Sequence, residues 1–460
     1  MRLTRAALAS WFTLLSSWAT AQEPPPAEQP AQPPGQPAQP GQEQPAAPPA
    51  EPPPAEPPPA EAPPAEREAP AAGVAQPEGA EVGAALEKPE AKPVAGYDDG
   101  FFIQSEDGNY KLVIGGYVQF RFTYEGVDGD EDEFFFSIPR ARIQLNGHLF
   151  TPDFTYKIQV DFANGAIPAL KDGYADYAAI KNWLHFQAGS FKMPFNRQLL
   201  TSGSKLSMVD RAITHRAFGS GRDLGVMIHN KYKSPLEYGV GIFNGYGEVG
   251  EITGDITGDT DVVDGSTLPH SHAVTGEIED ATVTNVPVRM KPRLVGRIGY
   301  NFNEIDGYEE LDLDGGDPRF GIAANTKLQF NADHADEGLA DLGGDFIIKF
   351  FGATVYGAVF ARWAQVGGAF TAGSLEFDSV GMHAGGNYLL DETIWFGAQY
   401  GFVRDDVDEV NVHEILGGIG VFAFDKHLKS VLDAGPILEE SPTADTLVNW
   451  RIRTQLQLLL

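Results

Sequence analysis

The clearest regularity along the chain has a period of two. From Val448 to Leu460 one parity reads Val448, Trp450, Ile452, Leu456, Leu458 and Leu460, broken only by Thr454, while the other reads Asn449, Arg451, Arg453, Gln455 and Gln457. Successive side chains of a strand point to opposite faces, so the segment predicts a strand with one apolar and one charged face. The pattern recurs in 112–124, where Val118, Phe120, Phe122 and Tyr124 oppose Gln119, Arg121 and Thr123. It recurs again in 154–162, where Tyr156, Ile158 and Val160 oppose Lys157, Gln159 and Asp161. Sixteen such segments are predicted, at 112–124, 134–150, 154–163, 170–180, 184–195, 222–233, 236–245, 291–303, 318–330, 341–351, 352–363, 377–390, 392–404, 411–424, 427–438 and 447–460. An even number is what bacterial barrels require. A soluble sandwich also alternates, but its polar face looks to bulk water and gives no reason for recurring arginines. The expected fold class is therefore all-β, a 16-stranded antiparallel transmembrane β-barrel.

The connections test this independently, because such barrels alternate short periplasmic turns with long external loops. Thr151-Pro152-Asp153, Lys181-Asn182, Lys233-Ser234-Pro235, Phe351-Gly352, Asp391-Glu392 and Asp425-Lys426 are short. They alternate with longer stretches at 125–133, 196–221, 246–290, 331–340, 364–376 and 405–410. One connection breaks the alternation. Residues 304–317 should form a periplasmic turn yet are long, so either the turn is elaborated or the assigned register is wrong there.

The N-terminal segment reads differently. Arg2 and Arg5 precede a mostly apolar stretch from Ala6 to Trp18, and Ala19-Thr20-Ala21 offers small residues at a cleavage spacing, which predicts an exported protein with a signal peptide over 1–21. The apolar run is too short for a membrane-spanning helix. Residues 22–95 begin as an almost unbroken run of Pro, Ala, Glu and Gln, too poor in apolar groups to offset the entropy of ordering, and predict a disordered Pro-rich tether in the periplasm. The barrel domain is expected over 96–460. No cysteine occurs anywhere, which excludes disulfides and thiolate metal sites.

Within the barrel segment, five stretches stand in an order and spacing that resemble one family. They are Ile138-Pro139-Arg140-Ala141-Arg142-Ile143-Gln144-Leu145-Asn146-Gly147, Tyr156 to Ala163, Leu170 to Tyr177, Gly189-Ser190-Phe191-Lys192-Met193-Pro194-Phe195, and Gly221-Arg222-Asp223-Leu224-Gly225-Val226. Together, over about 134–230, they resemble the phosphate-selective porins O and P. That family usually carries two adjacent arginines at the place of Pro139-Arg140, commonly an acidic–Arg pair at the place of Asp210-Arg211, and a C-terminal aromatic where this chain has Leu460. The resemblance implies a homotrimeric outer-membrane porin surrounded by lipid and lipopolysaccharide. It also implies a third external loop folded inward and basic lumen residues that hand inorganic, phosphate-like anions along.

The formal net charge of −31 argues against an anion path unless charges are segregated, since a pore is selected by the charges that line it. Parity assigns Arg121, Arg140, Arg142, Lys157, Arg293, Arg297, Lys327, Lys349, Arg362, Arg451 and Arg453 to the lumen, against Asp161, Asp176 and Asp345. The third loop, 196–221, is basic as well, through Arg197, Lys205, Arg211, His215 and Arg216, and Arg197, Lys205, Arg211, Arg216 and Arg222 are expected to be the residues of the constriction loop. Acidic residues collect in the tether and in 128–133, 248–280, 333–341 and 405–409. Lys192 falls on the apolar parity of its strand unless a bulge intervenes.

Other functions find less support. Ser207, Asp210 and His215 share one loop, but no spacing sets up a nucleophile, and the histidines form no metal-ligand pair such as His-Glu-x-x-His. Glu310-x-Asp312-x-Asp314-Gly315 begins like a calcium loop, yet Gly321 occupies the twelfth position where a glutamate is needed. No enzyme, cofactor, metal or nucleic-acid partner is expected. A general diffusion porin and a structural anchor reaching peptidoglycan through the tether stay open as alternatives.

Overall fold

The computed structural model describes residues 94–98, 100–163, 168–219, 221–247, 251–257, 277–284, 290–330, 338–365, 379–405, 410–424, 426–442 and 444–460. These belong to the second of the chain's two units, 90–460. The expected signal peptide and nearly all of the expected tether lie outside the described residues, as do most of the acidic stretches at 248–280 and 333–341.

In chain order the strands are β1 (Ala95–Tyr97), β2 (Phe101–Gln104), β3 (Lys111–Gly126), β4 (Glu133–His148), β5 (Phe154–Asp161), β6 (Ala169–Ile180) and β7 (Leu184–Lys192). Then come β8 (Arg222–His229), β9 (Leu236–Phe243), β10 (Glu251–Thr257), β11 (Glu277–Thr284), β12 (Arg293–Phe302), β13 (Arg319–Phe330) and β14 (Gly338–Phe350). The chain ends with β15 (Ala353–Gln365), β16 (Ser379–Leu390), β17 (Ile394–Asp405), β18 (Val410–Ala423), β19 (Leu428–Ser441) and β20 (Ala444–Leu459). Sixteen of them, β3–β9 and β12–β20, pair in antiparallel sequence, and β20 returns to β3 from Trp450 opposite Gly126 to Leu459 opposite Tyr117. The sheet is a closed barrel, and each of the sixteen predicted segments coincides with one of its strands. Closure removes every edge that would otherwise expose unpaired backbone to hydrocarbon.

The outward parity carries Phe120, Ile143, Ile158, Val226, Ile298, Val359, Phe396 and Trp450, all large, apolar and exposed. So continuous an apolar surface would be untenable in water and is stable against lipid. Phe150, Trp183, Phe351 and Phe424 ring the end that bears the short turns, as an interfacial aromatic belt does. Those turns hold non-glycine residues at positive φ, for example Asp391 and Glu392 at 47° and 54°, the twist that joins right-twisted strands most directly. At β4 the register shifts between the pairs Gln119–Arg140 and Arg121–Ser137, so Ile138-Pro139 forms a bulge. A bulge accommodates the missing N–H of proline and re-aims the side chains that follow, here Arg140.

Four strands lack a sequence signal. β1 and β2 form a hairpin whose second strand continues the sheet on β3 at Lys111–Ile114, beyond the end of β20. β10 and β11 pair with each other inside the long connection after β9. Two short helices were also not foreseen. Both lie in the third external connection: α1 (Arg197–Leu200), capped by the Asn196 side chain accepting from the Gln198 and Leu199 amides, and α2 (Thr214–Phe218).

The anomalous connection is resolved as an elaborated turn. β12 and β13 pair without a break from Arg293–Gln329 to Phe302–Phe320, so the register holds and 303–318 is an insertion at the periplasmic rim. Its Ile305 and Leu311 are buried, Leu311 with Val209, Leu389, Trp395, Phe422 and Val431. The motif at Glu310 to Gly315 belongs to this turn, where Asp312 pairs with Arg319 and accepts from the Gly352 amide at 2.9 Å.

Candidate functional site

The lumen is built from the inward parity of the barrel strands and from the connection 193–221, whose segments bond to strands around the wall. The Val209 amide donates to Asp433 at 3.0 Å, the Ile213 amide to Glu414 at 3.1 Å, and the Gln198 side chain to Gln399 at 3.3 Å. Apolar residues of the same connection, Met193, Phe195, Ile213 and Phe218, pack with the inward-facing Phe243, Val295, Phe360, Val403 and Val412. Part of the barrel interior is thus an apolar core.

Most of the predicted lumen cations have carboxylate partners. Arg142 donates to Asp161 at 2.7 Å, Lys157 and Arg222 meet Asp172 at 3.0 and 2.6 Å, and Arg453 reaches Asp433 at 2.8 Å. Arg451 bridges Glu125 and Glu414, at 2.8 and 3.2 Å. Asp341 takes both Lys327 and Arg362, at 2.5 and 2.9 Å, while Lys349 donates to the Leu311 carbonyl. The tally of three lumen acids needs correction, because Asp172, Asp223, Glu237, Asp341, Glu414 and Asp433 are also buried among the inward residues. Two further corrections concern position. Arg222 is the first residue of β8, not part of the loop. Arg197 and Arg297 do not face a water-filled path: Arg297 is 0% exposed between Glu237 and Asp345, at 2.8 and 2.5 Å, and Arg197 meets Asp345 at 2.8 Å. Arg293 bonds to Gln329 and the Gly245 carbonyl, with Asp223 at 3.8 Å.

The connection residues Arg211 and Arg216 differ. Arg211 donates to the backbone carbonyls of Gln198 and Thr201, both at 2.7 Å, and Arg216 is exposed within the lumen with no ion pair among the described residues. Together with Arg140, Arg451 and Arg453 they line a cavity of about 170 Å³, five guanidinium groups against the carboxylates of Asp210 and Glu414. Arg121 and Arg140 both bond to Asp210, at 3.3 and 3.0 Å. Burial alone would raise the Asp210 carboxyl, but Arg140, Arg121 and Arg453 outweigh it and hold it well below the usual range. Burial, with Arg140 beside it, lowers Arg211 to about 10, still charged at neutral pH. The same burial, with Arg211, pushes His215 well below its ordinary value and keeps the ring neutral.

A second cavity, of about 390 Å³, lies between β4–β8 and the connection, lined by Arg142, Lys157, Lys192, Arg222 and Lys231 against Asp172 and Asp176. Lys192, placed on the apolar parity by sequence, turns to the connection and donates to the Leu200 and Thr201 carbonyls at 3.1 and 3.0 Å, without a bulge in the β7–β8 pairing. Its position at the last residue of β7, where alternation ends, is the reason parity misplaces it. At the periplasmic end of this cavity Asp176 meets His185 at 2.8 Å and His229 at 2.6 Å, a set with metal-ligating residue types. The Lys231 amide donates to His229 Nδ1 at 3.0 Å, so Nε2 carries the proton toward Asp176, and Lys231 Nζ lies 3.4 Å from the same carboxylate. Protons already satisfy that carboxylate, which leaves little for a metal ion to gain.

A closed, lipid-faced barrel of this size with a polar lumen entered by an external loop is the architecture of outer-membrane porins. The model of the family described as phosphate-selective porin O and P matches residues 113–302, the first eight strands of the barrel, so the resemblance carried by 134–230 extends beyond it on both sides. Among solved structures, the outer membrane channel DcaP of Acinetobacter baumannii superposes with a TM-score of 0.51 at 13% identity, over 78% of this chain and 99% of that one. The anion-selective porin from Comamonas acidovorans gives 0.51 at 10% identity, over 76% and 99%. At these identities the likeness is one of fold. None of the curated proteins matches the chain.

Proposed function

We propose that this porin passes small anions of the phosphate type along the two arginine- and lysine-lined cavities, with the inward connection 193–221 as its constriction. The observation that carries the reading is the excess of cations in both linings, above all Arg211 and Arg216, which form no carboxylate ion pair among the described residues. In a narrow, partly dewatered passage such charges act on an anion more strongly than in bulk, and several weak sites in series still allow exit. Arginine adds geometry, since its planar fork offers paired donors to a tetrahedral oxyanion. The barrel is read as trimeric, in outer-membrane lipid with lipopolysaccharide. The chain enters at the rim of the short turns, where Tyr97 lies 3.4 Å from His427, which supports a tether on the periplasmic side, within reach of peptidoglycan.

The test is the zero-current potential of the purified protein in a planar bilayer under a potassium chloride gradient, followed by phosphate titration. An anion-signed potential with phosphate blocking chloride current is expected. A cation-signed potential would leave a general porin, and a barrel that does not conduct would leave the structural anchor.

A further inference from the structure

The turn 303–318 is longer than barrel closure requires. The other periplasmic connections close in a few residues, and the sheet on either side of this one is regular. The ends of the insertion stay on the rim, but its middle turns inward. It carries Glu309 and Glu310, both buried, into the lumen. Burying carboxylates is costly unless each is paired or hydrogen-bonded, so a segment that does so is held there by specific partners.

Those partners come mostly from the lumen side of the barrel and from the external connection. Glu310 Oε2 accepts from the Ser207 amide at 2.7 Å and from its hydroxyl at 2.9 Å, while Oε1 accepts from Gln198 at 3.2 Å. The Glu310 amide donates to the Lys205 carbonyl at 3.2 Å, and its own carbonyl accepts from Asn387 of β16 at 3.0 Å. Lys205 stands 3.6 Å from Glu309 and 3.8 Å from Asp306, and Arg197 donates to the Gly307 carbonyl at 3.2 Å. A periplasmic turn and an external loop therefore meet inside the barrel and share one carboxylate.

A 16-stranded barrel with nothing inside leaves a wide aqueous channel. Here the turn packs against β14–β19 through Ile305, Ile347 and Tyr356 and through Leu311 and its apolar neighbours, whereas the larger cavity runs along β4–β8. Tyr308 stands at the border, its ring 5.7 Å from Tyr232 of the cavity wall.

We propose that turn 303–318 is a second constriction element, latched to the external connection by Glu310, which fills the lumen along the periplasmic ends of β14–β19 and there confines permeating anions to the basic β4–β8 side. The inference builds on the anion-path reading but concerns pore size and route. Its test reads conductance, whereas the anion reading is tested by the sign of the zero-current potential.

The experiment is single-channel recording of the full chain in which 305–316 is replaced by Asn-Gly, with assembly confirmed by the heat-dependent mobility shift of the folded barrel. Opening the blocked side should raise conductance by about twofold or more and reduce anion preference. A folded variant with unchanged conductance overturns the proposal. Should the replacement fail to assemble, Glu310→Gln combined with Ser207→Ala removes the latch and keeps the turn. Transitions to a larger conductance level are then expected, and a trace indistinguishable from the unaltered protein overturns the proposal equally. A larger conductance with a cation-signed potential in the unaltered protein would uphold the constriction and sink the anion reading alone.

Discussion

The two sides of the lumen use the same residue types to opposite ends. On the β12–β15 side, Arg297, Arg197, Glu237, Asp345 and Asn325 form a closed network in which Asp345 takes Arg297 at 2.5 and 2.9 Å, Arg197 at 2.8 Å and Asn325 at 3.0 Å. On the side of β4–β8 and β18–β20, cations outnumber carboxylates in both cavities, and several donate only to backbone carbonyls or to nothing described. Identical arginines are thus framework in one place and available to a solute in the other. What separates them is whether a carboxylate was folded against them, and that depends on where 193–221 and 303–318 come to rest.

The sharpest way to break the comparison is to open the closed network. Asp345→Ala leaves two buried guanidinium groups, Arg297 and Arg197, to share the single carboxylate of Glu237 and should cost about 3–5 kcal/mol in barrel stability, read from thermal unfolding in detergent, without reversing the sign of the zero-current potential. A reversal would place the network on the ion path. Next in size, Arg211→Ala with Arg216→Ala should lower the anion-to-cation permeability ratio by about fivefold for each ~1 kcal/mol of attraction removed, with little change in unfolding temperature. Unaltered selectivity in that folded variant would move the constriction elsewhere, Arg140 and Arg142 being the next pair to replace.

Smaller effects follow from the loop and turn. Lys205 is half exposed, and burial already raises the Glu309 carboxyl toward its neutral form, so Lys205→Ala should cost about 1 kcal/mol or less and alter conductance only slightly. The smallest expected effect is that of pH on selectivity. Asp210 is held well below the usual carboxylate range, so its stabilising pairing with Arg140 is present above the unfolded carboxylate value and lost only as pH falls through the depressed one. His215 is neutral because its value is lowered. The zero-current potential should therefore stay flat between about pH 5 and 8, and a step near pH 6 would show that a histidine contributes.

The barrel itself was legible because a strand in a membrane wall has two solvents, lipid and lumen water, and β3, β5 and β20 record both in an alternation that Thr454 alone interrupts over 448–458 of β20. The lumen chemistry was less legible for a related reason. Where 193–221 and 303–318 fill the interior, the inward parity turns apolar, as at Val431 and Ile437 of β19 or Tyr356 and Phe360 of β15. Parity can then no longer tell wall from lumen, and Asp433 and Asp341 escaped notice beside it. The hairpin β1–β2 is too short to show a period. Lys192 was misplaced because it closes its strand.

Alternation, turn chemistry and the rhythm of short and long connections determined the strand number, the closure and the membrane setting, since each is a local consequence of which solvent a residue meets. The long connection at 303–318 was visible as an anomaly, but its meaning was not. Which cations are neutralised, and that a periplasmic turn reaches Ser207 and Gln198 from below, depends on contacts between residues some hundred positions apart. Pairing of that kind is set by three-dimensional packing and leaves no period in the chain.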